Sequence, residues 1–134
     1  MRCLIVEDDF TARKLLLAYL SKHVECDAAV NGKEAIKAFH TAINGKPYDL
    51  LCLDISMPEM NGLEALRVIR QIEKQHNRIG SDGVKVIMTT AFSDKDNVIT
   101  ACELGCKSYI VKPVSRDKLF AEIEKLGLLV TEAK

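Results

Sequence analysis

Polar residues that could handle a phosphoryl group follow several of the short apolar segments in this 134-residue chain. Acidic residues 7–9 follow the first segment, Asp54 follows the third, Thr90 follows the fourth and Lys112 follows the fifth. Carboxylates bind Mg²⁺, and an aspartate can attack phosphorus to form an aspartyl phosphate. Hydroxyl and ammonium groups stabilise phosphoryl oxygens. If they meet in space, these residues predict transfer of a phosphoryl group to Asp54.

The acidic residues need a positive partner if they share one crevice. At a separation of about 4 Å, two like charges repel by roughly 4 kcal/mol at an effective dielectric constant near 20. Glu7, Asp8 and Asp54 are therefore expected to hold a hard divalent cation, Mg²⁺ in particular, with Lys112 as the cation that the chain itself supplies. The residues include no obvious general base. This predicts a site that accepts and retains a phosphoryl group rather than one that turns over a substrate.

The elements that must position these residues follow from the apolar pattern. Five short apolar segments alternate with stretches whose apolar residues recur at helical spacing, which is typical of repeated strand and helix units. The predicted strands, each expected to be buried on both faces, are residues 3–6, 26–30, 50–53, 84–88 and 109–111. The sequence thus predicts an α/β fold with a five-stranded parallel sheet and five helices on both faces. All the strand ends that carry polar groups then lie at one edge.

Composition excludes several classes of function. Nineteen basic residues balance nineteen acidic residues, so the chain lacks the positive excess of a nucleic-acid-binding protein. No apolar segment approaches the roughly 18 residues of a membrane span, and the first residues lack the features of a secretory leader. We expect a cytoplasmic protein without direct contact with nucleic acid or membrane. The five cysteines are expected to be free, mostly buried thiols.

Four sequence motifs, taken together and in this order, identify a family resemblance. They are Val6-Glu7-Asp8, LDISMPEMNG at residues 53–62, MTTA at residues 88–91 and SYIVKP at residues 108–113. The chain resembles the receiver domain of two-component response regulators over nearly its whole length, and it is similar to the single-domain, chemotaxis-type members. The resemblance implies a flavodoxin-like sheet with the strand order 2-1-3-4-5.

The resemblance also implies roles for the acidic residues. Asp54 matches the phosphoacceptor of the family. Glu7 and Asp8 match the pair that holds Mg²⁺ together with Asp54 and the backbone carbonyl of Ser56. Asp9 falls outside this pair and is expected to lie at the start of a solvated helix, where an acidic side chain is favourable.

Residues near the fourth and fifth strands match the remaining functional positions. Lys112 corresponds to the lysine that pairs with the phosphoryl group, and the following Pro113 implies a cis peptide bond. Thr90 and Tyr109 correspond to the switch residues, with Thr90 also engaging the phosphoryl group. Phe92, two residues after Thr90, is expected to shield that group from water.

The implied function is a stand-alone phosphorylation switch. A sensor histidine kinase or phosphotransfer protein would donate the phosphoryl group, and the added charge would bias a surface with two states. In the family this surface comprises the fourth helix, fifth strand and fifth helix, here roughly residues 94–104, 108–111 and 115–126. It could bind a downstream protein or form a homodimer. We expect a receiver domain over residues 1–126 and a short tail over residues 127–134.

Three other functions fit parts of the same pattern. A pseudo-receiver would use the fold only for binding, which a phosphorylation assay would reveal. A Mg²⁺-dependent phosphohydrolase of the haloacid dehalogenase kind would place a second acid two residues after its nucleophile, where this chain has Ser56. A flavodoxin-like FMN carrier would need Ser, Thr and Gly around a phosphate, where this chain has acidic residues 7–9.

Overall fold

A computed structural model describes residues 1–57, 59–78, 80–91 and 95–128 of the chain. Phe92, residue 94 at the predicted start of the fourth helix and most of the predicted tail lie outside these residues. The strands are β1 (Arg2–Val6), β2 (Glu25–Ala29), β3 (Leu50–Asp54), β4 (Lys85–Thr90) and β5 (Ser108–Val111). The α-helices are α1 (Phe10–Leu20), α2 (Gly32–Ile43), α3 (Gly62–Gln75), α4 (Lys95–Glu103) and α5 (Arg116–Lys125). A short 3-10 helix spans Gly80–Asp82.

The five strands form one parallel sheet in the order β2-β1-β3-β4-β5, which confirms the predicted fold class. Leu16 and Leu20 of α1 and Leu119 and Ile123 of α5 are buried against one face of the sheet. Apolar residues of α2, α3 and α4 are buried against the other face. Because a helix crosses over between each strand and the next, all strands run in the same direction and their carboxyl ends share one edge.

The prediction that every strand is buried on both faces is wrong for the two edge strands. β1 and β3 are almost wholly buried, and β4 is buried after its first residue. In β2, by contrast, only Ala29 is fully buried, and Glu25 and Asp27 are exposed. β5 alternates, with Ser108 and Ile110 buried and Tyr109 exposed. An edge strand has a neighbour on one side only, so the helices cover it less completely.

Side-chain caps fix the helix starts that border the site. Asp9 caps α1 by accepting a hydrogen bond from the backbone N–H of Ala12 at 2.8 Å, which confirms its expected place at a helix start. Asn61 and Glu64 form a reciprocal capping box at α3. Ser115 caps α5 in the same way as Asp9 caps α1. Within the described residues, none of the helices combines the length and hydrophobicity that a membrane span requires.

Candidate functional site

The backbone continues the sheet pairing beyond the strand ends and so fixes the site residues. The N–H of Glu7 donates to the carbonyl of Ala29 at 3.1 Å, and the N–H of Lys112 donates to the carbonyl of Thr90 at 2.8 Å. Asp54 is the last residue of β3 and lies in register with Thr89. Glu7, Asp54 and Lys112 are therefore attached to backbone that a neighbouring strand holds in place.

Three carboxylates gather at this edge. Glu7, Asp8 and Asp54 each offer an oxygen within 4.8 Å of the other two. Glu7 and Asp54 are each only 1% exposed, whereas Asp8 is exposed. The ammonium group of Lys112 lies 2.8 Å from Oε1 of Glu7 and 3.1 Å from Oδ2 of Asp54. The structure thus brings together the four charged residues that the sequence predicted to meet.

One carboxylate oxygen of Asp54 is available to bind a further group. Its Oδ1 accepts a hydrogen bond from the backbone N–H of Ser56 at 3.2 Å. Its Oδ2 is buried and has no hydrogen bond of good geometry from the described residues, although the Lys112 ammonium lies 3.1 Å away. A buried carboxylate oxygen without a donor costs free energy unless a cation or a new bond satisfies it. This oxygen is therefore suited to a metal ion or a phosphoryl group.

The three charged groups beside this oxygen shift one another's pKa values. Burial, followed by the neighbouring Glu7, raises the pKa of Asp54 to about 7. Burial also opposes ionisation of Glu7, but hydrogen bonding with Asp54 and Lys112 outweighs it and lowers the pKa of Glu7. The pKa of Lys112 is raised, since contacts with Glu7 and Asp54 outweigh the effect of burial. Without a metal ion, Asp54 is therefore the group of the pair that takes up a proton first, and it titrates near neutral pH.

This raised pKa predicts a pH-dependent stability for the metal-free protein. Asp54 titrates near 7 in the folded state, above its ordinary value of 3.8, so the folded protein binds more protons in this window. The stability that protonated Asp54 contributes is fully present below about pH 4 and is lost as the pH rises through about 7. Relative to Asp54→Asn, the wild type should lose on the order of 2 kcal/mol of unfolding free energy between pH 5 and 8. Urea denaturation in EDTA measures this, and a pH-independent difference between the two proteins would contradict it.

The donor set fits Mg²⁺. This ion prefers oxygen ligands and is usually held by one or two carboxylates together with water and phosphate oxygens. Glu7, Asp8 and Asp54 supply such oxygens within 4.8 Å of one another. The role of the Ser56 carbonyl stays a prediction.

The structure does not bring the two predicted switch residues into hydrogen-bond contact with the carboxylates. The hydroxyl of Thr90 is buried and donates to the carbonyl of Ala91 at 3.1 Å. Tyr109 is in register with Met88, and its side chain is 49% exposed. Since Thr90 and Met88 are two residues apart on β4, Thr90 and Tyr109 share one face of the sheet. The peptide bond between Lys112 and Pro113 is cis, as expected.

Two supporting residues were not assigned a role from the sequence. Arg13 lies on α1, and its guanidinium donates to the backbone carbonyls of Glu7 and Asp8 at 3.0 and 3.3 Å. These contacts tie the backbone of the two acidic residues to α1. Gly62 begins α3 so close to the site that an added Cβ would lie 2.2 Å from the carbonyl oxygen of Asp54. Arg13 has no sequence signal beyond its position one helical turn after Asp9. Gly62 was part of the motif at residues 53–62, but its packing role emerges only in three dimensions.

Comparison with known proteins identifies the family. The family model described as "response regulator receiver domain" matches residues 3–124. The chain belongs to this family. The receiver is 36% identical over 126 residues to the chemotaxis protein CheY of Bacillus subtilis, covering 92% of this chain and 95% of that protein. It is 32% identical over 128 residues to CheY of Thermotoga maritima, and the match covers 94% of this chain and 97% of that protein.

Solved structures agree with this assignment. A chain in the crystal structure of the CheX-CheY-BeF3-Mg²⁺ complex from Borrelia burgdorferi is 26% identical to the receiver, with a TM-score of 0.79. The match covers 96% of this chain and 90% of that chain. Receiver domains are signalling proteins of two-component systems that accept a phosphoryl group on an aspartate and bind Mg²⁺ at an acidic pocket. They are not classed as enzymes.

Proposed function

We propose that this receiver accepts a phosphoryl group on Asp54 from a histidine kinase or a phosphotransfer protein. The observation that carries the proposal is the buried Oδ2 of Asp54, which accepts no hydrogen bond from the described residues yet lies 3.1 Å from the Lys112 ammonium. A free lone pair beside a cation is the arrangement that a carboxylate nucleophile needs to attack a phosphorus atom and then hold the product.

The chain's own residues have separate tasks in this reaction. An oxygen of ionised Asp54 forms the new bond to phosphorus as the donor's bond breaks, and the leaving group departs on the opposite side. Lys112 already pairs with Glu7 and Asp54, so it offsets the charge that the phosphoryl oxygens bring. Glu7, Asp8 and Asp54 would hold Mg²⁺, which when bound neutralises further phosphoryl charge. The roles of the Ser56 carbonyl in metal binding and of Thr90 at the phosphoryl group are part of this proposal.

The proposal requires Mg²⁺ for both labelling and stability. Labelling by acetyl phosphate should occur in millimolar Mg²⁺ and disappear in EDTA, because the carboxylates would otherwise repel the phosphate. Mg²⁺ should also raise the melting temperature, since it binds the folded state only and offsets repulsion among the carboxylates. Labelling assays and thermal denaturation with Mg²⁺ or EDTA measure the two effects. Equal labelling and equal melting temperatures in both buffers would contradict the proposal.

We favour a phosphoacceptor over the two nearest alternatives. A phosphohydrolase needs an acid or base near the leaving group, and the residue two positions after Asp54 is the exposed Ser56. A pseudo-receiver has no need for a complete set of Glu7, Asp8, Asp54 and Lys112 around one buried oxygen. We assign the phosphoacceptor domain to residues 1–126 and the remainder to a tail.

The phosphodonor is proposed to dock beside Lys112. An apolar groove of about 450 Å³ runs between α1 and the segment after β5, and its lining includes Ala12, Leu15, Lys112 and Val114. Leu15 is 47% exposed there. Because Glu7 and Lys112 are among the residues that line this groove and Lys112 lies 3.1 Å from Asp54, a protein seated in the groove would bring its phosphohistidine close to Asp54.

A charge placed in this groove should slow phosphotransfer from a protein donor but not from a small-molecule donor. Leu15→Glu should slow phosphotransfer from a purified histidine phosphotransfer protein by about tenfold or more, since it buries a carboxylate at the contact. Labelling by acetyl phosphate should be unchanged. The matched control is Ile99→Glu, which alters an exposed residue of α4 on the other side of the sheet. Equal effects of both variants on transfer from the protein donor would refute this docking site.

The output surface is proposed to comprise α4, β5 and α5. Thr90 at the end of β4 and Tyr109 on the exposed edge strand share the face that α4 covers. Engagement of Thr90 by the phosphoryl group would withdraw its hydroxyl from Ala91, and reorientation of Tyr109 would carry this change to the surface. Ile99 of α4 and Tyr109 are both exposed and provide apolar contact for a downstream protein or for a second receiver.

A further inference from the structure

Two cysteines lie side by side on neighbouring strands, away from the phosphorylation site. Cys3 of β1 is in register with Cys26 of β2. Both side chains pack on the face of the sheet that α1 and α5 cover. Neighbouring strands lie about 4.8 Å apart, which is within the range of roughly 4.4–6.8 Å between Cα atoms that a disulfide bridges. The fold therefore holds these two residues at a Cα spacing that a disulfide between β1 and β2 can bridge.

The two thiols differ in access and in acidity. Cys3 is fully buried, whereas Cys26 is partly exposed on the edge strand β2. A hydrogen bond from Cys3 lowers the pKa of Cys26 despite partial burial. The same contact, a second one to Cys52 and burial raise the pKa of Cys3. Cys26 is therefore both the more accessible thiol and the one that more readily forms the reactive thiolate.

None of the other cysteines is in register with a cysteine in the described strands, although Cys52 contacts Cys3 from the neighbouring strand β3. Cys52 is in register with Ile5, and Cys102 is exposed on α4. Cys106 is buried and contacts the carbonyl oxygen of Ser108 at 2.9 Å. Among the described residues, no three cysteines lie close enough together to form a metal site. The pair on β1 and β2 is thus better suited to redox chemistry than to metal binding.

We propose that Cys3 and Cys26 are a modification site, a dithiol that hydrogen peroxide converts to a disulfide between β1 and β2. The thiolate of Cys26 attacks one peroxide oxygen and the O–O bond breaks, which gives a sulfenic acid and a hydroxide ion. The hydroxide takes up the proton that the Cys26 thiol had released, so that the first water forms. The Cys3 thiol then gives up its proton and attacks the Cys26 sulfur, so that the S–O bond breaks and a second water leaves. The two thiols together lose two electrons, which reduce one hydrogen peroxide to two waters.

Peptide mapping of the oxidised wild type tests the proposal directly. The reduced full chain is treated with hydrogen peroxide, alkylated under denaturing conditions and digested with trypsin, which places Cys3 and Cys26 in different peptides. We expect a peptide cross-linked through these two residues, and a fall in alkylatable thiols from five to three. Absence of this cross-link, with oxidation confined to Cys102, would overturn the proposal.

Three variants assign the two steps. Cys26→Ser should abolish the cross-link, whereas Cys102→Ser, which removes the exposed thiol of α4, should leave it intact. Cys3→Ala should halt the reaction at the sulfenic acid of Cys26, which dimedone traps. If Cys3→Ala fails to fold, the wild type and Cys26→Ser still decide the question. A loss of two thiols that persists in Cys26→Ser would overturn the assignment.

Discussion

Replacement of Asp54 by asparagine is expected to reduce Mg²⁺-dependent labelling by acetyl phosphate at least about 100-fold. The amide preserves the shape of the side chain but lacks the charged oxygen that attacks phosphorus. It also removes one of the three carboxylates that would hold Mg²⁺. Incorporation of a labelled phosphoryl group, followed over time in the wild type and the variant, measures the effect.

The matched control is Asp9→Asn. Asp9 follows the acidic pair directly, but its side chain caps α1 through the N–H of Ala12. Asparagine is an equally good cap, as Asn31 and Asn61 show at α2 and α3. We expect Asp9→Asn to be labelled like the wild type. Undiminished labelling of Asp54→Asn would refute Asp54 as the phosphoacceptor, and equal loss in both variants would show that the effect is not specific to the site.

Substitution of Lys112 by alanine is expected to destabilise the metal-free protein by about 2–4 kcal/mol. The ammonium lies 2.8 Å from Glu7 and 3.1 Å from Asp54, and both carboxylates are buried. Without it, the buried Glu7 carboxylate has no ion-pair partner among the described residues, while Asp54 avoids part of the cost by holding its proton. Millimolar Mg²⁺ should restore part of the lost stability, because it replaces the missing positive charge. Urea denaturation with EDTA or Mg²⁺ measures both effects.

Lys33→Ala provides the matched control for Lys112. Lys33 also pairs with a glutamate, Glu59, but the separation is 3.8 Å and both side chains are largely exposed. Such surface pairs contribute about 0–1 kcal/mol. Lys33→Ala should therefore change stability little, with or without Mg²⁺. If Lys112→Ala were no more destabilising than Lys33→Ala, the buried charge cluster would not depend on Lys112 as we infer.

The sequence was sufficient to predict the sheet and the charged cluster. In a parallel sheet the strand ends meet at one edge, so locating the apolar segments also located Glu7, Asp54 and Lys112 relative to one another. The free cysteines, the helix start at Asp9 and the cis bond before Pro113 are confirmed by the structure. These features depend on local chemistry or on strand order alone.

Features that depend on packing between distant segments were not predictable. Glu73 lies on α3 yet is only 2% exposed, because it accepts hydrogen bonds from Arg70 at 2.7 Å and from the N–H of Val84 at 2.5 Å. A glutamate at that position would normally be placed on the solvated face of a helix. The exposure of β2 was not predictable either, since nothing in its own residues identifies it as an edge strand. The register of Cys3 with Cys26 likewise requires the pairing of β1 with β2.

The most direct test is to locate the phosphoryl group on the wild-type protein. The receiver is incubated with acetyl phosphate and Mg²⁺, and borohydride then reduces the acyl phosphate to a stable alcohol whose position mass spectrometry identifies. We predict modification at Asp54 alone, and only when Mg²⁺ is present. Modification at another carboxylate, such as Asp8 or Asp9, or no modification at all, would contradict the proposal that Asp54 is the phosphoacceptor.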